Sequence, residues 1–353
     1  MSEVITEVRG GVGRITLNRP KALNALSLTM IRELTDALLR WRDDAGVKAV
    51  ALRGMGKEGP FGALCAGGDI RFFHQAALAG HPELEDFFTE EYALNHLIHR
   101  YPKPYVVFMD GIVMGGGMGI SGHGAAHSLR IATERTKVGM PETNIGLFPD
   151  VGGGWFLARC PGRLGEYLAL TGHVIGADDA VHAGLADAVV ASSELEQLWE
   201  TLPLQALRER KPLREAPLAR QVPQIDRFFA LPGVPEIIAA LEADDSAWAR
   251  ETAGVLRKRS PLMLHVTLEQ LRRARNMTLA EDLRMERDLV RRSFHLRPGA
   301  ASETVEGIRA LAIDKDHAPR WNPSRIEEVT PAMVAAFFES PWPAHAHPLR
   351  GLD

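Results

Sequence analysis

Tyr105-Val106-Val107-Phe108-Met109-Asp110-Gly111-Ile112-Val113-Met114-Gly115-Gly116-Gly117-Met118-Gly119-Ile120-Ser121-Gly122 runs from an apolar stretch into a string of glycines. The opening residues, Tyr105–Met109, read as a buried strand. Two architectures compete for the glycine string. Gly117, Gly119 and Gly122 spell the G-x-G-x-x-G pattern of a dinucleotide-binding turn. In that fold the pattern belongs to the immediate turn of the opening βαβ unit. Here the glycines begin several residues past the strand, and more than 100 residues precede them. The alternative is a glycine loop whose bare N–H groups face a ligand, aided by the positive end of an adjoining helix. Tight packing at a turn is the plain explanation of any single glycine pair.

Outward from this point the chain alternates between strand and helix patterns. Residues 4–17 alternate apolar and polar around Gly10-Gly11, a β-hairpin signature. Ser27 caps a helix to about Asp43, with Leu28, Ile31, Leu34, Leu38 and Leu39 on one face. Further strands are expected at 48–52, 129–132 and 185–190, and helices at 70–79, 84–100, 153–159, 164–170 and 177–183. This order predicts an α/β core with parallel pairing. After about Ser193 the pattern is helix after helix. Ser260-Pro261 and Thr330-Pro331 are N-cap and first-turn proline pairs, and Thr278-Leu279-Ala280-Glu281 is a capping box. The expected organisation is a core at 1–195, a helical region at 196–339 and a frayed tail at 340–353.

The bulk numbers exclude several classes. A net charge of −4 gives no basic field for nucleic acid or an anionic membrane. No apolar run reaches the roughly 18 residues a membrane span needs. Two cysteines, Cys65 and Cys160, make neither a disulfide framework nor a four-ligand zinc set, and no HExxH pattern occurs. No metal and no resident cofactor are expected. The acidic, strand-like start and the cysteine usage predict a cytoplasmic protein.

Chemistry concentrates at three places. Cys65-Ala66-Gly67-Gly68-Asp69-Ile70 is a second glycine site at a strand-to-helix junction. Two N–H groups from two such loops, aimed at one point, make an oxyanion hole. The third place is Met140-Pro141-Glu142-Thr143-Asn144-Ile145-Gly146-Leu147-Phe148-Pro149-Asp150-Val151-Gly152-Gly153-Gly154. It sets two carboxylates, Glu142 and Asp150, in an apolar loop. Apolar surroundings raise a carboxyl pKa and make it a usable acid or base. A turn residue plus a helix cap is the plain alternative. Gly54-Met55-Gly56-Lys57-Glu58 lacks the Ser/Thr of a P-loop, and Ser121 misses the nucleophile-elbow spacing by one residue. Cys65 reads as a small buried residue.

Taken in order, these elements resemble the crotonase superfamily. The resemblance rests on Asn18–Leu26, Ala66–Ile70, Lys103-Pro104 and Met114–Gly119 over residues 4–195. Met140–Gly154, Phe87–Tyr92 and the helical extension resemble, more narrowly, its thioester hydrolases of short 3-hydroxyacyl-CoA. The resemblance implies stacked ββα turns, a crotonase-like spiral, with a C-terminal helical extension. It implies that Gly68 and Gly116 hold the thioester oxygen. Glu142 and Asp150 would be catalytic, and Glu91 would bind the substrate hydroxyl. Lys21, Ala22 and Leu23 would lie along the CoA nucleotide, and a homo-oligomer is expected. Hydratases of the superfamily carry a second glutamate where this chain has Gly119, which removes one acid–base group. Hydration or isomerisation of an enoyl-CoA is the alternative activity. The segment 122–129 is about three residues longer than the family pattern.

Overall fold

The computed structural model describes residues 2–210 and 214–353. Contacts gather the chain into two units, each made of three segments. The first comprises Met1–Gly68, Glu90–Gly139 and Val174–Arg220; the second comprises Asp69–Thr89, Met140–His173 and Gln221–Asp353.

Among the described residues of the first unit eight strands form two sheets: β1 (Val4–Arg9), β2 (Val12–Leu17), β3 (Ala49–Gly54), β4 (Tyr105–Met109), β5 (Ile112–Met114), β6 (Ser128–Thr133), β7 (Lys137–Gly139) and β8 (Ala188–Val190). The large sheet has the order β1-β2-β3-β4-β6-β8, and β5 pairs with β7. Only β1 and β2 run antiparallel. Gly10 and Gly11, both at positive φ, make the tight turn between them. Every other pairing between these strands is parallel. All five residues of β4 and all six of β6 are buried. Near-continuous apolar strands of this kind belong to parallel sheets covered on both faces. Ala51, Phe108 and Ile131 pack with Leu198, Trp199 and Leu202 in one core cluster. Arg53 lies over the Trp199 ring at 4.3 Å.

Ser27 does cap the helix Leu28–Asp43, its Oγ accepting from the Met30 amide at 3.1 Å. The buried face is Met30, Ile31, Leu34, Ala37, Leu38 and Trp41. The expected face is corrected at Leu39, which is 39% exposed. It lies about 100° around the helix from Leu38, outside the apolar stripe that Trp41 completes.

The second unit is helical. Gly153–Leu157 and Leu164–Thr171 pack on Pro261–Ala274, and Gly153–Leu157 also packs on Leu279–His295. A single cut at residue 195 therefore separates elements that share a core. The capping box forms: Thr278 Oγ1 accepts from the Glu281 amide at 3.2 Å, and Glu281 Oε2 from the Thr278 amide at 2.8 Å. Phe73 meets Phe87 and Phe88 with ring centroids 4.8 and 4.9 Å apart, and Phe88 meets Phe294 at 5.8 Å. The expectation of a frayed tail at 340–353 is corrected. Ser340 Oγ donates to Asp288 at 2.8 Å, Leu349 is buried, and Arg284 donates to the Leu352 carbonyl at 2.7 Å.

Candidate active site

In the first unit the two glycine loops run side by side. The Cys65 amide donates to the Ile112 carbonyl at 3.1 Å, and the Met114 amide to the Cys65 carbonyl at 3.0 Å. A side chain on Gly67 would stand 3.8 Å from the Gly116 nitrogen, so the backbones approach closely here. Gly67 also has φ +105°, a conformation L side chains rarely adopt. Past this pairing, the amides of Gly68 and Gly116 donate to no acceptor among the described residues. Two bare N–H groups on neighbouring loops suit an oxygen that gains negative charge.

Glu91, 2% exposed, borders this place. A Cβ on Gly116 would meet Glu91 Oε1 at 2.5 Å and Leu26 Cδ1 at 3.1 Å, so only glycine lets the helix Glu83–His99 bring that carboxylate so near. The loop Lys21–Leu23 is tied to the first glycine site, since the Ala66 amide donates to the Leu23 carbonyl at 3.0 Å. Buried Asn24 organises it, donating to the carbonyls of Met55 (3.1 Å) and Ala63 (2.7 Å) and accepting from the Arg19 amide (2.8 Å). Lys21 and Ala22 are exposed and Leu23 is half-buried.

The excluded candidates have structural roles. Burial pushes the Cys65 thiol up to about 12, out of reach of a nucleophile at neutral pH. Ser121 Oγ is buried and donates to the Gly117 carbonyl at 2.7 Å. Gly117 and Gly119 belong to a helix of four residues, Gly116–Gly119, unlike the long helix of a dinucleotide-binding unit. In the longer segment, Gly122, His123 and Gly124 are three successive residues at positive φ, and the Arg130 guanidinium lies 3.2 Å from where a Gly124 side chain would start.

In the second unit Glu142 opens a 3₁₀ helix, Glu142–Ile145, closed by Gly146 at φ +66°. Thr304 Oγ1 donates to the Gly146 carbonyl at 2.7 Å and fixes that end. Glu142 is 7% and Asp150 6% exposed. Burial first, and the negative charge of Asp150 second, hold the Glu142 carboxyl well above its ordinary range. Glu142 Oε2 has no hydrogen-bond partner among the described residues. A buried polar atom left open in this way points to a group supplied by a ligand. Two carboxyls buried together resist ionising together, so the pair favours one proton and one charge.

Asp150 is held by an unusual turn. Val151 and Gly152 both adopt positive φ, +56° and +85°. Such a conformation is rare for a β-branched residue and survives only where its surroundings enforce it. The enforcing groups come from the helices Pro261–Ala274 and Leu279–His295. Glu286 accepts from the amides of Gly152 (2.7 Å) and Gly154 (3.0 Å). Asp282 accepts from the Trp155 amide at 2.8 Å. Gln270 Nε2 donates to the Pro149 carbonyl at 2.7 Å and to Glu286 at 3.1 Å. A Cβ on Gly154 would meet Asp282 Oδ1 at 2.5 Å. Burial pushes Asp282 up to about 7, and burial with the neighbouring Asp282 pushes Glu286 well above the carboxylate range.

Sequence reasoning missed Gln270, Asp282 and Glu286. The available signal was an i, i+4 carboxylate pair on the same helix face as Leu279 and Leu283, where an apolar stripe should continue. Of the expected residues, the structure sets Gly116 beside Glu91 in the first unit and couples Glu142 to Asp150 in the second.

Known proteins are similar to this chain in sequence and fold. The family model of enoyl-CoA hydratase/isomerase matches residues 12–338. The 3-hydroxyisobutyryl-CoA hydrolase, mitochondrial, of Danio rerio is 42% identical over 96% of this chain and 90% of its own length. A crystal structure described as a carnitinyl-CoA dehydratase from Mycobacterium thermoresistibile superposes with a TM-score of 0.88, at 39% identity, covering all of both chains. One described as an enoyl-CoA hydratase from Rhodobacter sphaeroides 2.4.1 gives a TM-score of 0.87 at 40% identity, over 96% of this chain and 98% of the other.

Proposed function

Taking as premise that the chain belongs to the enoyl-CoA hydratase/isomerase family, we propose that it hydrolyses the thioester of a short 3-hydroxyacyl-CoA, 3-hydroxyisobutyryl-CoA first among them. The observation that carries this reading is the buried Glu142–Asp150 pair with an open Glu142 Oε2, while Gly119 stands where hydratases of the superfamily carry a second glutamate. Hydrolysis needs one group to take a proton from water and one to give a proton to the leaving thiolate. A carboxyl pair holding a single proton does both.

In this mechanism the thioester oxygen accepts from the amides of Gly68 and Gly116. Water adds to the carbonyl carbon and gives its proton to the ionised member of the pair. The C–S bond breaks, the protonated member supplies the proton to the CoA thiolate, and the proton taken from water then passes across the pair to restore its starting state. The upward shift of Glu142 supports a resting proton on that residue, with Asp150 as the base. A protonated carboxyl is a poor nucleophile, which favours water attack over a mixed anhydride on Glu142. Glu91 accepts from the substrate hydroxyl, and Lys21, Ala22 and Leu23 contact the CoA nucleotide. No resident cofactor takes part. The enzyme works as a homo-oligomer in the breakdown of valine-derived acyl-CoA. Among the described residues no helix is long and apolar enough to cross a membrane. The two buried free cysteines suit a reducing compartment, and the cytoplasm is the proposed one. The Danio rerio relative is named as a mitochondrial protein.

The deciding experiment offers the purified protein 3-hydroxyisobutyryl-CoA and reads free-thiol release, with loss of conjugated absorbance from crotonyl-CoA in parallel. Rapid thiol release with little crotonyl-CoA loss is expected. Crotonyl-CoA hydration without thiol release overturns the reading.

A further inference from the structure

A pocket of about 510 Å³ in the second unit is lined by Asn144, Arg257, Lys258, Arg259, His317 and Trp321, with Gly307, Ala310, Leu311 and Pro319 completing the wall. It contains none of the residues assigned above. Its charge is one-sided, since no carboxylate lines it among the described residues. Arg257 is already neutralised by Glu242 and Glu327 at 2.8 and 2.7 Å. Arg259 and Lys258 are not, for neither makes an ion pair among the described residues. Half-buried Arg259 donates only to neutral oxygens, the Thr171 carbonyl (2.6 and 3.2 Å) and Asn144 Oδ1 (2.5 Å). A guanidinium taken partly out of water without a counter-charge is costly, and burial accordingly lowers its pKa.

The remaining wall is apolar and rigidly shaped. Trp321 spends its indole N–H on the Lys258 carbonyl at 3.2 Å, which fixes the ring. Ala310 and Leu311 lie on a π-helical turn, Arg309–Ile313, closed by the Asp314 amide on the Arg309 carbonyl at 2.9 Å. Lys315 and His317, just beyond it, are at positive φ. Rare backbone states of this kind gather at functional sites. Nearby Glu306, Asp314 and Asp316 are engaged by Arg309 and leave the pocket's cations uncompensated.

We propose that this pocket binds a small organic phosphate, with the phosphate held by Lys258, Arg259 and His317 and a planar or apolar body against Trp321, Leu311 and Pro319. Guanidinium and ammonium groups pair with phosphate, the guanidinium in a bidentate fork. The volume exceeds what inorganic phosphate fills and suits a mononucleotide. Two sources carry this chemistry: a free nucleotide, or, in place of the contact assigned above to Lys21, Ala22 and Leu23, the nucleotide end of the acyl-CoA itself. The second source rests on the function proposed above; the first does not.

The test titrates AMP into the full-length protein by calorimetry, beside Lys258→Glu and His317→Ala, two exposed positions whose substitution spares the core. Saturable binding by the parent chain, weakened at least tenfold in Lys258→Glu and severalfold in His317→Ala, is expected. No binding by the parent chain, or equal binding by all three, overturns the proposal. The source is read from KM. A rise in Lys258→Glu for the acyl-CoA but not for the matching N-acetylcysteamine thioester assigns the site to the substrate's nucleotide. An unchanged KM with lost AMP binding assigns it to a free nucleotide. Thiol release by the parent chain is measured separately, so failure of the hydrolase reading shows as absent turnover while AMP binding stands on its own.

Discussion

As strings of letters, the glycine loops of the first unit resemble the Gly152-Gly153-Gly154 run of the other unit, but their amides go to different places. Gly68 and Gly116 leave theirs without an acceptor among the described residues. Gly152, Gly154 and Trp155 give theirs to Glu286 and Asp282. Glycine exposes backbone in both places. Only the absence of an internal acceptor turns exposed backbone into a place for a ligand. Where the fold supplies carboxylates of its own, the same glycines become a clamp that shapes the neighbouring Asp150.

The sharpest contrast comes from the carboxylates. Glu142→Gln and Asp150→Asn should each lower kcat for thiol release by about 10²–10⁴-fold with folding intact. If both keep the parent rate, the acid–base assignment is wrong. Gly116→Ala comes next: its methyl must push against Glu91 and Leu26, displacing a bare amide, and kcat should fall by about 10²-fold. The matching change in the clamp, Gly154→Ala, pushes against Asp282 and should act on stability, by about 1–3 kcal/mol in urea unfolding. Equal activity losses with equal stability would erase the distinction between the loops. Glu286→Ala leaves the Gly152 and Gly154 amides without their acceptor and Gln270 with only the Pro149 carbonyl, and should cost about 2–4 kcal/mol.

The last effect is one of pH. Asp282 sits at about 7 in the folded chain against an ordinary 3.8. Between those values the folded state holds a proton that the unfolded state has released. The stability this group contributes is therefore full below about pH 4 and is lost as pH rises towards 7. Asp282→Asn should flatten that part of the profile in denaturation series from pH 4 to 7.5. A parallel slope in both chains would show that Asp282 does not carry the proton.

Much of this was legible in the residues because the signals were local. The Gly10-Gly11 hairpin, the Ser27 cap, the helix Ile70–Ala79 and the Thr278–Glu281 capping box each arise from a few neighbouring side chains. The pairing of Glu142 with Asp150 was legible for the same reason, since the two stand eight positions apart in one apolar loop. The clamp was not. Asp282 and Glu286 satisfy amides more than 120 residues away, and charge on an amphipathic helix ordinarily marks its solvated face. The tail misled in the other direction: prolines and histidines suggested fraying, while Leu349 and the Leu352 carbonyl find partners only in tertiary structure.

The clamp also sets an order of events during synthesis. Gly152 leaves the ribosome 134 residues ahead of the Glu286 that accepts its amide. At about 5–20 residues per second that is a wait of roughly 7–27 seconds. Through that interval the nascent strands of the first unit already have neighbours to pair with, because the large sheet adds each strand beside the one before it in chain order. The turn at Asp150 has nothing yet to enforce it. The growing chain therefore carries its strands long before it can carry a shaped Asp150, and a ribosome stalled before residue 282 would hold a product with a sheet and no clamp.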